Sequence, residues 1–588
     1  MIISVFKRFI YCFLFIMISS FIFTDDFSEG PYGTNYLDIA GPFALPDLNI
    51  SIQGDANLDE IINVQDIILL VGQILGNINL DEEEYDQADT NNDEIIDVLD
   101  IVNLVNQILN PQDPLWDFEQ QWTGTDSYIF IQYDTSAPSS TALWVSSTRN
   151  QLLEISPMNV HYFFISNRSQ YESDILSIKG IYDEILSGLS IELQNHWNNH
   201  LHFINARTSS LDSWLSTSLA GKNSIGIDSF QRIKQTGYFG NPASFTGTYI
   251  HYLAHEALYY EHLLDIFQDT GEPYDEMNVF EREHYTGGWA ASISQTIQIP
   301  TETELNNYNK LMVELLRGCP DADMNYDDAG CDDYDRIAHL YLCDLDGSNC
   351  LEIARWITPF DRQPHSLTDI TPFLSALRSS AGQEKTLKFQ ESGWPNSLLT
   401  LKLRLYDGLN LEGLQSEILP MWDGTVQFNP SYADNRPPQV FVIPENATKV
   451  EFVSYITGHG WGSAGCFNCC EFCNSQHNFY VNGGVLEFNQ SFPDASSSTH
   501  CMQPETISTG VCPNQYGTWG YGRAGWCPGQ DVDPFIADIT DFVNIGEENV
   551  LNYDACRVSG NSCVSPPTCQ GDGYCPEIAM SSYIIISY

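Results

Sequence analysis

The stretch Thr400-Leu-Lys-Leu-Arg-Leu-Tyr406 puts an apolar residue at every second position. Successive side chains of a β-strand point to opposite faces, so Leu401, Leu403 and Leu405 share one face and Lys402 and Arg404 the other. Looser versions of the pattern recur at Ala290–Ile299, Ile337–Leu342, Thr386–Phe389, Lys449–Ile456 and Tyr583–Tyr588. Gly, Pro and Asn punctuate the intervals. Many short strands so separated predict a mainly β chain with two tandem antiparallel jelly-roll domains, 278–408 and 412–588, hinged at Gly408–Gly413.

Upstream of 278 the pattern changes. Tyr128–Gln132 and Val160–Ile165 read as buried strands, whereas Asp174–Leu193 and Thr248–Phe267 carry helix-spaced apolar positions. Strands alternating with helices predict a small α/β domain over 115–275. A thioredoxin-like layering would fit, but the domain has no Cys-x-x-Cys, which excludes a redox role. Residues 25–50 contain Gly30-Pro31, Gly33, Gly41-Pro42 and Pro46, and read as a linker. At the N-terminus, Lys7 and Arg8 precede an apolar run from Phe9 to Phe23, too short to span a bilayer. We read 1–24 as an export signal and expect a secreted, soluble product.

Composition narrows the partners. With 43% hydrophobic and 12% aromatic residues the chain can bury several cores. Its net charge of −54 would repel a nucleic-acid backbone or an anionic membrane, so neither is expected as a partner. Of 16 cysteines, Cys12 falls in the signal and all others lie between Cys319 and Cys575. Such clustering suits an oxidising exterior, and the odd remainder predicts one unpaired thiol or an intermolecular bond.

An internal repeat supplies the sharpest local signal. Asp55, Asn57, Asp59, Asn63 and Asp66 stand at positions 1, 3, 5, 9 and 12 of a loop, and Asp89, Asn91, Asp93, Asp97 and Asp100 repeat the spacing. Alternating side-chain oxygens can wrap one hard cation, joined at position 7 by the carbonyls of Ile61 and Ile95. An apolar helix follows each loop. The repeat, 51–112, resembles a dockerin, which implies two structural calcium ions and a cohesin-like partner. It departs from that pattern at Glu60 and Glu94, where a turn glycine is usual.

Eight of the 13 histidines lie between His161 and His284. His251 and His255 are four apart with His262 seven further on, and His200 and His202 alternate. No His-Glu-x-x-His spacing occurs. Packed or surface histidines are the expectation, with a metal site, Glu256 or Glu261 nearby, as the alternative.

Three blocks in the C-terminal half bring carboxylates, tryptophans and arginines beside cysteines: Cys331-Asp-Asp-Tyr-Asp-Arg336, Cys469-Cys-Glu-Phe-Cys473 and Arg523-Ala-Gly-Trp-Cys-Pro-Gly529. Two carboxylates on separate segments suit general acid–base work, and tryptophan faces suit sugar rings. Solvated loop acids beside a disulfide staple are the plainer reading. In this order the blocks resemble the peptide-N-glycosidase F family over 278–588. That resemblance implies an amidase that releases N-glycans from glycoproteins or glycopeptides and needs no metal for catalysis. It implies Asp335, Glu471 and Arg523 as catalytic residues, with Asp335 acting on water, Glu471 gripping sugar hydroxyls and Arg523 polarising the amide carbonyl. For substrate binding it implies Arg336, Glu391, Trp394, Trp461 and Trp526, with Glu391 in place of a third acid. It implies the disulfides Cys319–Cys331 and Cys469–Cys473. The alternative is a non-catalytic glycoprotein-binding module in a dockerin-assembled extracellular complex.

Overall fold

The computed structural model describes residues 26–588 except 51–53, 60, 92, 94, 110–114, 138, 238–248, 269–272, 290, 327–330, 394–395, 409–415, 462–463, 485–487 and 569–574. The export signal and all of the hinge but Gly408 therefore lie outside the described residues.

The alternation at Thr400–Tyr406 becomes the strand Ser397–Asp407. It pairs antiparallel with Tyr308–Gly318, setting Leu401, Leu403 and Leu405 opposite Leu315, Val313 and Leu311. All six side chains enter one core. This sheet runs His365–Asp369, Tyr308–Gly318, Ser397–Asp407, Tyr274–Tyr285. The sheet contributing the other strands to that core runs Gln530–Asp531, Leu351–Ile357, Ile337–Cys343, Glu384–Glu391, Ser292–Gln298. A second sandwich combines Ser416–Gln427, Glu577–Ser587, Lys449–His459 and Phe535–Asp538 with Gln439–Val442, Glu548–Ser559, Ser475–Val481 and Phe488–Phe492. The chain is thus mainly β, in several antiparallel sheets. Two boundaries differ from expectation. The first sandwich starts at Tyr274, and Gln530–Asp531 crosses back into it to pair with Trp356 and Ile357.

Lys449–His459 explains why the two sandwiches hold together. Val450, Phe452 and Ile456 face its own core, while Val453 and Tyr455 enter the core of the first sandwich. Buried on both faces, the strand loses the clean alternation of Thr400–Tyr406. Arg355, buried and paired with Glu352 at 2.7 Å, crosses the junction to Thr457 Oγ1 and the Ala579 carbonyl, both at 2.9 Å.

The α/β domain has a sheet in the order Leu201–Arg207, Val160–Ser166, Ser127–Tyr133, Ser224–Ile227, Ile233–Lys234, the first three parallel. The helix expected over Asp174–Leu193 is two, Tyr171–Leu186 and Ile191–His200, divided around Gly188, with the Ser190 side chain capping the second. Helix Tyr252–Gln268 is buried along most of its faces. Its Glu256 meets Arg362 of the first sandwich at 3.0 Å and Asn514 of the second at 2.8 Å, so the domain is docked rather than tethered. The 25–50 stretch is not a linker. Ala44–Pro46 pairs with Leu115–Asp117, and Phe43 and Leu45 enter a core with Phe118 and Phe130. Burial of those side chains outweighs the turn-forming glycines and prolines around them.

The repeat forms helices Val64–Ile74 and Val98–Leu109 with Glu82–Ala88 between them, closed on Ala56, Leu70, Leu80, Ala88, Ile96 and Leu104. Disulfides join Cys319–Cys331, Cys343–Cys350, Cys469–Cys473, Cys501–Cys527 and Cys556–Cys563. Cys466 and Cys470 both remain thiols, more than the single one expected. Among the described residues no helix is long and apolar enough to cross a membrane.

Candidate active site

Arg523 stands where three loops meet. Its turn closes through a bridge to Trp526. Gly525 has φ +87°, and a Cβ there would lie 2.5 Å from the Ile456 carbonyl, so the turn requires glycine. The guanidinium donates from Nη1 to the carbonyls of Tyr521 at 2.9 Å and Thr518 at 3.2 Å, and from Nη2 to Thr518 Oγ1 at 3.1 Å. It lies over the Trp526 and Phe472 rings at 4.8 and 5.1 Å. Its Nε donates to Glu471 Oε1 at 3.1 Å and lies 3.6 Å from Asp335 Oδ2. A fixed cation therefore sits between two carboxylates.

Each carboxylate is pinned by a disulfide. Cys469–Cys473 brackets Glu471, whose backbone N–H donates to the Gly460 carbonyl at 3.3 Å and whose carbonyl accepts from Ala524 at 2.9 Å. Cys319–Cys331 ties the end of Tyr308–Gly318 to the loop carrying Asp335. Arg336 and Thr358 then lock that loop to the next strand by exchanging two hydrogen bonds of 2.8 Å. The Asp335 side chain is 21% exposed and that of Glu471 14%. Asp335 Oδ2 is turned inward and accepts no hydrogen bond, so the exposure belongs to its other atoms. Burial raises Asp335, against the pull of Arg523 and Arg336. Burial also pushes Glu471 up to about 7, opposed by Arg523 and reinforced by the Asp335 charge. Both acids are thus held above the ordinary carboxylate range, which suits proton transfer to and from a bound molecule.

The geometry changes several expected roles. Arg523 is only 1% exposed and its donors are engaged, so it holds the two acids and does not reach a substrate carbonyl. Glu391 is 0% exposed. It forms a bidentate pair with Arg317 at 2.8 and 3.2 Å, which makes it a support behind the site and not a sugar-binding group. Trp526 is 7% exposed. It donates to the Gly458 carbonyl at 2.8 Å, forming the floor beneath Arg523 and not an open wall. Trp461 does reach the surface, 46% exposed. Trp394, with Glu60 and Glu94, lies outside the described residues.

Arg336 is held by Asp332 at 3.0 and 3.3 Å and flanked by the exposed rings of Trp289 and Tyr334 at 5.5 and 5.1 Å. A Cβ on Gly393 would come within 2.9 Å of its guanidinium. Trp289 was not anticipated. A tryptophan directly after Gly287-Gly288 was its signal in the sequence.

The acidic loops match each other closely. Asp66 is buried and accepts from the backbone of Asn57 at 3.2 Å and Asn63 at 2.8 Å. Asp100 is likewise buried and accepts from Thr90 at 2.9 Å and Asp97 at 2.7 Å. Asp55 and Asp89 accept from Asp59 and Asp93 at 3.1 and 3.2 Å. Each loop is thereby folded around its own carboxylates.

Residues 427–585 match the family described as "Peptide-N-glycosidase F, C terminal". Over 275 residues the chain is 25% identical to the peptide-N(4)-(N-acetyl-beta-D-glucosaminyl)asparagine amidase F of Elizabethkingia miricola, covering 43% of this chain and 69% of that protein. Among solved structures, PNGase F, described as a glycosylasparaginase from Flavobacterium meningosepticum, aligns with TM-score 0.40 and 20% identity, over 54% of this chain and 96% of that one. A structure of PNGF-II aligns with TM-score 0.39 and 15% identity, over 53% and 64%. Residues 427–585 are therefore similar to the C-terminal part of peptide-N-glycosidase F, and the 275-residue match is to an amidase of the same name.

Proposed function

We propose that the chain is a secreted amidase that hydrolyses the amide linking N-acetylglucosamine to asparagine and so releases N-glycans from glycoproteins or glycopeptides. One observation carries this reading. Two partly exposed carboxylates, Asp335 and Glu471, flank one immobilised guanidinium, and Glu471 and Arg523 lie in the segment that matches the peptide-N-glycosidase F family. Asp335, steadied by Arg523, takes a proton from water as the water oxygen bonds to the amide carbon. The C–N bond then breaks and the departing nitrogen receives a proton. Aspartate stays on the peptide, and the glycosylamine loses ammonia in water. Glu471, neutral part of the time near pH 7, can donate or accept a hydrogen bond to a sugar hydroxyl. Trp461, Trp289 and Tyr334 supply exposed ring faces for the glycan. We read the paired sandwiches as tandem jelly rolls.

The acidic repeat is proposed as a dockerin-like module. Asp55, Asn57, Asp59, Asn63 and Asp66, and Asp89, Asn91, Asp93, Asp97 and Asp100, would hold two calcium ions with the Ile61 and Ile95 carbonyls. The fit rests on the matched acceptors around Asp66 and Asp100. Calcium there would be structural. Ile61, Val64, Ile68, Ile95, Val98 and Val102 are exposed, an apolar surface suited to a cohesin-like partner.

The test is glycan release from a denatured glycoprotein, with conversion of the glycosylated Asn to Asp followed by mass spectrometry. Wild type should release glycan. Asp335→Asn, which keeps side-chain size and loses the base, should lower the rate about 10²–10⁴-fold while retaining glycopeptide binding. Wild type that binds glycopeptide without releasing glycan would make the chain a binding module. Full turnover by Asp335→Asn would overturn the mechanism.

A further inference from the structure

We propose that the α/β domain braces the amidase site, and that its Glu256 is a positioning residue for Arg523 and Asp335. The catalytic consequence rests on the amidase reading, whereas the brace itself rests on the geometry.

The loop that carries Arg523 borrows its core. Met502, Ile507, Val511 and Trp519 are buried, yet none belongs to the core of the second sandwich. They share one core with Leu253, Ala257 and Tyr260 of helix Tyr252–Gln268 and with the strands of the α/β sheet. Their apolar area is kept from water only while the domain is in place, so the fold of the loop is coupled to the domain. Phe360 of the first sandwich belongs to the same core, and its ring lies 5.9 Å from the Arg523 guanidinium.

Glu256 joins the two sandwiches at a single carboxylate. Arg362, on the first sandwich, donates to its Oε1 at 3.0 Å and its Oε2 at 3.4 Å. Asn514, on the Arg523 loop, donates to the same Oε1 and to the Tyr252 carbonyl, both at 2.8 Å. All three side chains are buried, so none reaches a substrate.

Each half of the site is a few residues from this node. Asp361, next to Arg362, donates its N–H to the Asp332 carbonyl at 3.0 Å, and the Asp332 carboxylate holds Arg336 beside Asp335 at 3.0 Å. On the other side, Gln515 follows Asn514 and accepts from the Phe360 N–H at 2.9 Å. Thr518, three residues on, accepts from the Arg523 guanidinium through its carbonyl and its hydroxyl. The 3.6 Å approach of Arg523 Nε to Asp335 spans these same two segments. Asp335 faces Arg523, Arg336 and Asp332, and Glu471 faces Arg523, Asp335 and the Cys470 thiol. Arg523 is the cation common to both acids, and its loop is the one the α/β core supports. Loosening the node should therefore withdraw positive charge from both carboxylates at once.

The test compares the full chain with Asn514→Leu, Glu256→Gln and the control Tyr259→Phe. Asn514→Leu cuts the tie to the Arg523 loop and leaves Arg362 its charged partner. Tyr259→Phe removes a hydroxyl that bonds the His365 backbone at the same docking face, away from the node. In chain labelled with nitrogen-15 arginine, the Arg523 Nε–H resonance, assigned by its loss in Arg523→Lys, reports the bond to Glu471. It should be sharp and slowly exchanging in wild type and in Tyr259→Phe, and broadened or lost in Asn514→Leu and Glu256→Gln. Glycan release by those two variants should fall about 10–100-fold in kcat/KM, and its acidic limb should move up by about 0.5–1 pH unit. Far-UV dichroism checks that each variant folds. A wild-type Arg523 resonance in both Asn514→Leu and Glu256→Gln, or an equal loss in Tyr259→Phe, would overturn the brace. A lower rate with an unmoved acidic limb would overturn the positioning role. Absence of glycan release by wild type would remove the amidase reading alone, and the Arg523 resonance would still decide the brace.

Discussion

Glu471→Gln should make the protein more stable than wild type above neutral pH, and only there. Glu471 is pushed from its usual 4.5 to about 7, chiefly by burial. A folded-state value above the unfolded one means that the folded chain holds the extra proton between about pH 4.5 and 7. Wild-type stability should therefore fall as pH rises through that window and level off above it. At about 1.4 kcal/mol per unit, the full shift corresponds to an upper limit of roughly 3 kcal/mol. Glutamine cannot ionise, yet its Oε1 can still accept from Arg523 Nε, which stands 3.1 Å from the native carboxylate. That shift already contains the attraction of Arg523, so the expected advantage is about 1–3 kcal/mol at pH 8 and near zero at pH 5. Urea unfolding of both proteins at each pH, followed by tryptophan fluorescence, measures the difference. The same substitution removes a negative neighbour from Asp335, so the acidic limb of the kcat/KM profile for glycan release should move to lower pH. The reasoning fails if the stability difference is unchanged between pH 5 and pH 8, or if it grows toward acid.

Glu391→Gln should leave the Arg317 charge buried and uncompensated, costing about 3–5 kcal/mol. Denaturation midpoints check this, and the folded fraction should keep its KM for glycopeptide because Glu391 is fully buried against Arg317. The double change Cys469→Ser, Cys473→Ser opens a loop with a sequence separation of four. It should cost about 2 kcal/mol but lower glycan release disproportionately, since Glu471 loses its fixed position; equal losses in stability and rate would argue against that role. Removing calcium from the full chain with a chelator should expose 51–112 to limited proteolysis before any other segment, and re-addition should restore protection. An unchanged cleavage pattern would count against calcium in the repeat.

How much of this could be read directly depends on the range of the interaction. Thr400–Tyr406 announced its strand because one of its faces is aliphatic and the other polar or amphipathic, and strict alternation follows from the pleat. The acids at 55–66 and 89–100 repeat one spacing within a dozen residues, so the pattern that suggests a cation loop could be read locally. Asp335, Glu471 and Arg523 were found through short blocks locked by local disulfides, and the structure brings those blocks within 3.6 Å of one another. Other assignments required the tertiary structure. Glu391 and Trp526 have residue types suited to a sugar site, but Arg317, 74 residues from Glu391, claims the carboxylate, and the Gly458 carbonyl claims the indole. The 25–50 segment looked like a linker because glycine and proline act locally, whereas Phe43 and Leu45 are buried by partners more than 70 residues away. Local sequence determines backbone period, turn chemistry and short ligand loops. Which polar side chain is spent inside the protein, and which is left for a ligand, depends on partners the chain supplies from a distance.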